Sequence, residues 1–103
     1  MKRIICAALL LASIPASADW HGGGVRTLGF GYDGQTLVFE ITGLTKTACT
    51  CYPPWPNSLC VSRTREDFKE IYAFLLKARA TKEPVQVNID ENTCSVLALY
   101  EAE

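Results

Sequence analysis

Cys49-Thr50-Cys51, Cys60 and Cys94 are the most chemically capable residues in this 103-residue chain. Four thiolates can hold zinc, a CxC pair can exchange disulfides, and an even set can cross-link. A redox-active pair usually sits at a helix N-terminus that lowers its thiol pKa, whereas the next helical pattern here begins well beyond Cys51. Nucleophilic hydrolysis needs a histidine oriented by an acid. The only histidine, His21, adjoins Gly22-Gly23-Gly24 and reads as an uninvolved surface residue. Glu66 and Asp67 are adjacent, so on a helix they point about 100° apart and suit capping better than paired acid/base work. No catalytic residue, metal site or cofactor is expected. Tyr52-Pro53-Pro54-Trp55-Pro56-Asn57 suggests recognition instead. Prolines order the loop, cysteines flank it, and Trp55 on its crest would offer a flat apolar face to a sugar or protein, with Tyr52 and Asn57 as polar contacts. The competing reading, that Trp55 folds back as a lid over a small core, stays open.

The choice among cysteine chemistries turns on compartment. Residues 1–18 have the form of a cleavable Sec signal: Lys2 and Arg3, an apolar run over 4–12, then Ala16-Ser17-Ala18. Cleavage is expected after Ala18, giving a periplasmic or secreted product. The run is shorter than the roughly 20 residues a membrane span needs, and no second run follows. Cys6 leaves with the leader. Export favours oxidation over metal capture, so two disulfides are expected among Cys49, Cys51, Cys60 and Cys94. Residues two apart on an extended chain are at the limit of bridging distance. Cys60 is therefore expected to join one member of the CxC pair and Cys94 the other. Of ten basic and eleven acidic residues, two basic ones belong to the leader, and no basic cluster remains to bind nucleic acid.

These residues need a scaffold of strands. Residues 19–24 read as a flexible lead. Leu28, Phe30 and Tyr32 alternate with smaller residues, Asp33-Gly34 suits a tight turn, and Leu37, Phe39 and Ile41 alternate again. The pattern predicts a hairpin over 25–32 and 35–42. Short strands are expected near 47–52 and 59–62. A helix over 65–80 follows, capped by Thr64 and Asp67, with Phe68, Ile71, Tyr72, Leu75 and Leu76 as its apolar stripe. Phe74 and Ala78 fall off that arc, facing solvent or a neighbouring subunit. Pro84 ends the helix; Val85, Val87 and Ile89 predict one strand and residues 94–100 another. The order β-β-β-α-β-β over 25–103 predicts a single domain: mainly β with one helix, a small OB-like five-stranded barrel stapled by disulfides.

The passage from Ile71 to Val87, with the preceding hairpin and the late Cys94-Ser95, resembles small secreted proteins of Gram-negative bacteria. It is also similar to the B subunit of subtilase cytotoxin. That resemblance implies an OB-like fold and, for the toxin family, a glycan-binding ring of five copies. Taken together, the expectation is an exported non-enzymatic binding module for a glycan or envelope protein, with an oligomer open. The alternatives are a small periplasmic thiol-disulfide oxidoreductase using Cys49 and Cys51, and the B subunit of a toxin-like ring.

Overall fold

The computed structural model describes residues 18–45 and 47–102. The expected leader, with Cys6, its apolar run and its cleavage motif up to Ser17, lies outside the described residues. Six strands and one helix follow: β1 (Ala18–Gly23), β2 (Val25–Gly31), β3 (Thr36–Ile41), β4 (Leu59–Ser62), α1 (Phe68–Thr81), β5 (Val85–Asp90) and β6 (Ser95–Glu101). They form one sheet in the order β1-β5-β6-β4-β3-β2. Its two ends, β1 and β2, are halves of one bent strand separated only by Gly24. The chain itself therefore closes the sheet into a barrel-like curl, with the single parallel pairing, Cys60 to Ser95, between β4 and β6. This is the expected mainly-β, OB-like order with one helix, and one more strand than the sequence suggested.

The extra strand corrects the expectation of a flexible lead over 19–24. Trp20, His21, Gly22 and Gly23 pair antiparallel with Asn88, Val87, Gln86 and Val85. The glycines that read as looseness instead let backbones meet. Gly23 has φ +142°, and a methyl on Gly43 would fall 1.7 Å from the Gly22 carbonyl oxygen. Only residues without side chains fit that seam. At the same place the Thr42 amide donates to the Gly24 carbonyl at 2.9 Å. The strand expected near 47–52 does not form, because that stretch is routed by its two cysteines and not by a ladder.

The β2–β3 hairpin holds its expected register, with Leu28 opposite Phe39 and Phe30 opposite Leu37. Paired residues share a face. Leu37, Phe39 and Ile41 lie in the core, so Gly29, Gly31 and Val38 belong to the outer face. The turn includes Asp33-Gly34 and begins one residue before it: Tyr32, Asp33 and Gly34 take φ of 54°, 58° and 84°, and the Gly34 and Gln35 amides donate to the Gly31 and Tyr32 carbonyls at 3.2 and 3.1 Å.

Helix α1 starts at Phe68 with Asp67 as its N-cap residue, which makes no side-chain capping bond; its carboxylate is taken by Arg65 instead. The expected Thr64 cap is absent too, since that hydroxyl pairs with Ser62. Lys82 in the left-handed region closes the helix, its amide donating to the Ala78 carbonyl, and Pro84 prevents continuation. Phe68, Ile71, Leu75 and Ala78 are the buried stripe. Ala78 thus faces inward, Phe74 packs against the core and Leu76 is exposed. The true stripe follows i, i+3, i+7, i+10, a narrower arc rotated toward Ala78. No helix among the described residues is long and apolar enough to cross a membrane.

A candidate ligand-binding surface on the outer barrel face

Two disulfides position the proline-rich loop. Cys49 bonds Cys94 within the core, with alpha carbons 5.7 Å apart, and Cys51 bonds Cys60 at 6.3 Å. Each member of the CxC pair thus takes a separate partner, the arrangement that local geometry favoured. Cys60 stands opposite Val38 across the β3–β4 ladder. The second bridge therefore lies on the outer face and ties both ends of the loop there.

Between Cys51 and Cys60 the chain makes two successive tight turns. The Trp55 amide donates to the Tyr52 carbonyl at 2.9 Å, and the Ser58 amide to the Trp55 carbonyl at 3.1 Å. Pro53 and Pro56 occupy the second position of each turn, where a fixed φ near −65° is wanted. One turn thus separates Tyr52 from Trp55, and their rings meet edge to face at 5.8 Å.

Both rings rest on glycines of β2. A methyl on Gly29 would touch Trp55 Cη2 at 3.3 Å, and one on Gly31 would lie 2.6 Å from Tyr52 Cε1. In Gly29-Phe30-Gly31 the two glycines point outward beneath the rings while Phe30 points to the other face. Tyr32 extends the row: its ring meets Tyr52 edge to face at 5.3 Å, and its hydroxyl donates to the Cys51 carbonyl at 2.8 Å. A non-glycine residue in the left-handed region costs about 1 kcal/mol or more, and these contacts hold Tyr32 there although 52% of its surface is exposed. Tyr52 and Trp55 are half-buried. Trp55 does fold back, but over the outside of the sheet, so it neither stands free on a crest nor lids the inner core.

Further along the same face the surface turns polar. Thr27 stands opposite Glu40 and its hydroxyl donates to that carboxylate. Arg26 Nη2 lies 3.1 Å from the other oxygen of Glu40, which is only 9% exposed. Asn57 does not join the aromatic row. It lines a neighbouring depression of about 320 Å³ with Arg26, Thr42, Leu44 and Thr45. The outer face of the hairpin thus runs from three aromatic rings at the turn to hydroxyls, an amide and a paired guanidinium at the seam.

The other residues weighed for chemistry sit apart. His21 lies in β1, where it pairs with Val87, and its Nε2 is 3.2 Å from Glu91. Arg65 donates two hydrogen bonds at 2.9 Å to Asp67 and holds its carboxyl below the usual carboxylate range. Among the described residues no group of three or more His, Cys, Asp or Glu is placed to hold a metal ion. The sequence offered one overlooked signal for this surface, the spacing of Gly29 and Gly31, which places two side-chain-free positions on one face of a strand.

No family model matches the chain, and comparison with curated proteins and with solved structures finds no match. Nothing in those comparisons links it to the toxin subunit that its helix-to-strand passage resembles, so the surface is read from its own geometry.

Proposed function

We propose that this protein is an exported, non-enzymatic binding module that recognises a glycan on the outer face of its β2–β3 hairpin. The observation that carries this reading is the seating of Tyr52 and Trp55 on Gly29 and Gly31. It supplies a row of rings held by two proline turns and a disulfide, so little conformational entropy is lost on binding. Sugars combine a flat C–H face with a rim of hydroxyls. The Tyr32–Tyr52–Trp55 row suits the former, and Arg26, Thr42, Thr45 and Asn57 suit the latter.

Two structural disulfides fit an oxidising compartment, and the division of Cys49 and Cys51 between separate partners supports cross-linking over dithiol exchange. The test is an array of bacterial and host glycans probed with the oxidised protein and with a Tyr52→Ala/Trp55→Ala variant. Binding to a restricted glycan set that the variant loses is expected. Uniform absence of binding, or equal binding by both proteins, would overturn the proposal.

A further inference from the structure

On the opposite side of β2 from the loop, the chain builds a second concavity. Phe30 follows the inward register yet keeps 42% of its surface exposed at the barrel end. Its ring meets Tyr72 edge to face at 5.4 Å and Phe68 at 6.4 Å, and Phe68 and Tyr72 stack at 6.2 Å. These three rings, with Arg63, Arg65, Glu66 and Lys69, line a cleft of about 450 Å³, within the range that accommodates a small ligand.

Arg63 gives the cleft its chemistry. Its guanidinium carbon lies 4.9 Å from the Phe30 ring centre and 5.1 Å from that of Phe68. Its Nε donates to the Gly34 carbonyl at 2.7 Å, and its backbone amide donates to the Gln35 carbonyl. Two rings and a carbonyl therefore fix the guanidinium plane, while its terminal nitrogens have no hydrogen-bond or ion-pair partner among the described residues. Arg65, by contrast, is spent on Asp67 and the Val96 carbonyl. Among the described residues Lys69 has no ion pair either, so after Glu66 is set against one of them the cleft keeps a net positive charge from Arg63 and Lys69. A pre-oriented guanidinium fork is the group that binds carboxylate or phosphate oxygens two at a time.

We infer that this cleft is a separate site for a small oxyanion ligand, one bearing a carboxylate or phosphate next to a flat apolar ring. The oxyanion pairs with Arg63 and Lys69, and the ring lies against Phe30 and Tyr72. Nothing in this inference depends on the outer aromatic row.

The test is titration of the isotope-labelled protein, followed by NMR, with phenyl phosphate, benzoate, inorganic phosphate and benzyl alcohol. Saturable shifts confined to residues around Phe30, Gly34, Arg63, Phe68 and Tyr72 are expected with at least one ring-bearing acid, tighter by fivefold or more than with inorganic phosphate or the neutral alcohol. Whether phenyl phosphate or benzoate binds tighter distinguishes phosphate from carboxylate as the preferred group. Arg63→Gln should weaken that binding by tenfold or more, and Arg63→Lys nearly as much, since lysine keeps the charge but not the fork. Lys69→Gln, on an exposed helix position that leaves the turn intact, should weaken it two- to threefold, and Trp55→Ala should leave it unchanged. Absence of saturable shifts with both ring acids overturns the inference. So does binding that survives both Arg63→Gln and Lys69→Gln, or equal affinity for inorganic phosphate.

Discussion

Gly31→Ala tests whether the loop rings are truly laid on the strand. The new methyl would sit 2.6, 3.0 and 3.1 Å from Cε1, Cδ1 and Cζ of Tyr52, where carbon atoms prefer about 3.5 to 4.0 Å. The ring must therefore retreat by about 1 Å. It has little room, since Tyr32 and Trp55 each meet it edge to face and Cys51, just before it, is bridged to Cys60. Overpacking of this kind costs about 1 to 3 kcal/mol, offset by about 0.5 to 1 kcal/mol from replacing a strand glycine. A net loss between about 0 and 2.5 kcal/mol, centred on about 1 kcal/mol, follows. Gly29→Ala is the internal control. There the nearest atom is Trp55 Cη2 at 3.3 Å, a gap that closes by a few tenths of an ångström, so its net effect should stay within about 0.5 kcal/mol of zero. Urea unfolding followed by circular dichroism gives both values, and tryptophan fluorescence reports the displaced ring. A Gly31→Ala variant more stable than wild type, or a larger loss in Gly29→Ala, would refute the packing.

Removing the Cys49–Cys94 bridge by double alanine substitution should cost about 4 kcal/mol, and removing Cys51–Cys60 about 2.5 kcal/mol, because the closed loops span 45 and 9 residues; paired denaturation curves rank them. Gly43→Ala should cost about 3 kcal/mol, since the methyl meets the Gly22 carbonyl itself and no side chain can yield. Amide exchange at Gly24 and Thr42 should accelerate in that variant as the seam opens. Arg65 lowers the Asp67 pKa chiefly through its hydrogen bonds. The contribution is therefore full above the unfolded value of about 3.9 and disappears as pH falls through the lower folded value. Because this carboxylate is largely exposed, the stability gap between wild type and Asp67→Asn should be only a few tenths of a kcal/mol at pH 6, vanishing once the carboxyl is protonated in the folded state as well as the unfolded one.

Much of the fold was legible because its signals are local. Alternating Leu37, Phe39 and Ile41 identified an inward strand face, and Val85, Val87 and Ile89 did the same for β5. Strand β1 was not legible, because its place comes from pairing with β5 across the barrel and from glycines selected for close approach. Helix α1 was legible as a helix, but its rotation was set by what the barrel end could bury, which drew Ala78 in and left Leu76 out. At the candidate surface, the sequence identified Tyr52 and Trp55. It placed Asn57 with them, while the second proline turn carries that side chain into the depression beside Arg26. Tyr32 read only as the last residue of the first hairpin strand, since nothing local announces that a tyrosine will adopt a left-handed turn and bond the Cys51 carbonyl.

The central claim is that the outer aromatic row is a contact surface and not merely a cover for the hairpin. Calorimetric titration of a glycan selected from the array into wild type and Trp55→Ala, with melting curves on the same samples, tests it most directly. The account predicts a loss of about 2 kcal/mol or more in binding, about thirtyfold in Kd, with a stability loss of about 1 kcal/mol, because the loop remains tied by Cys51–Cys60. Unchanged affinity with a large fall in melting temperature would contradict it and leave Trp55 a structural cover.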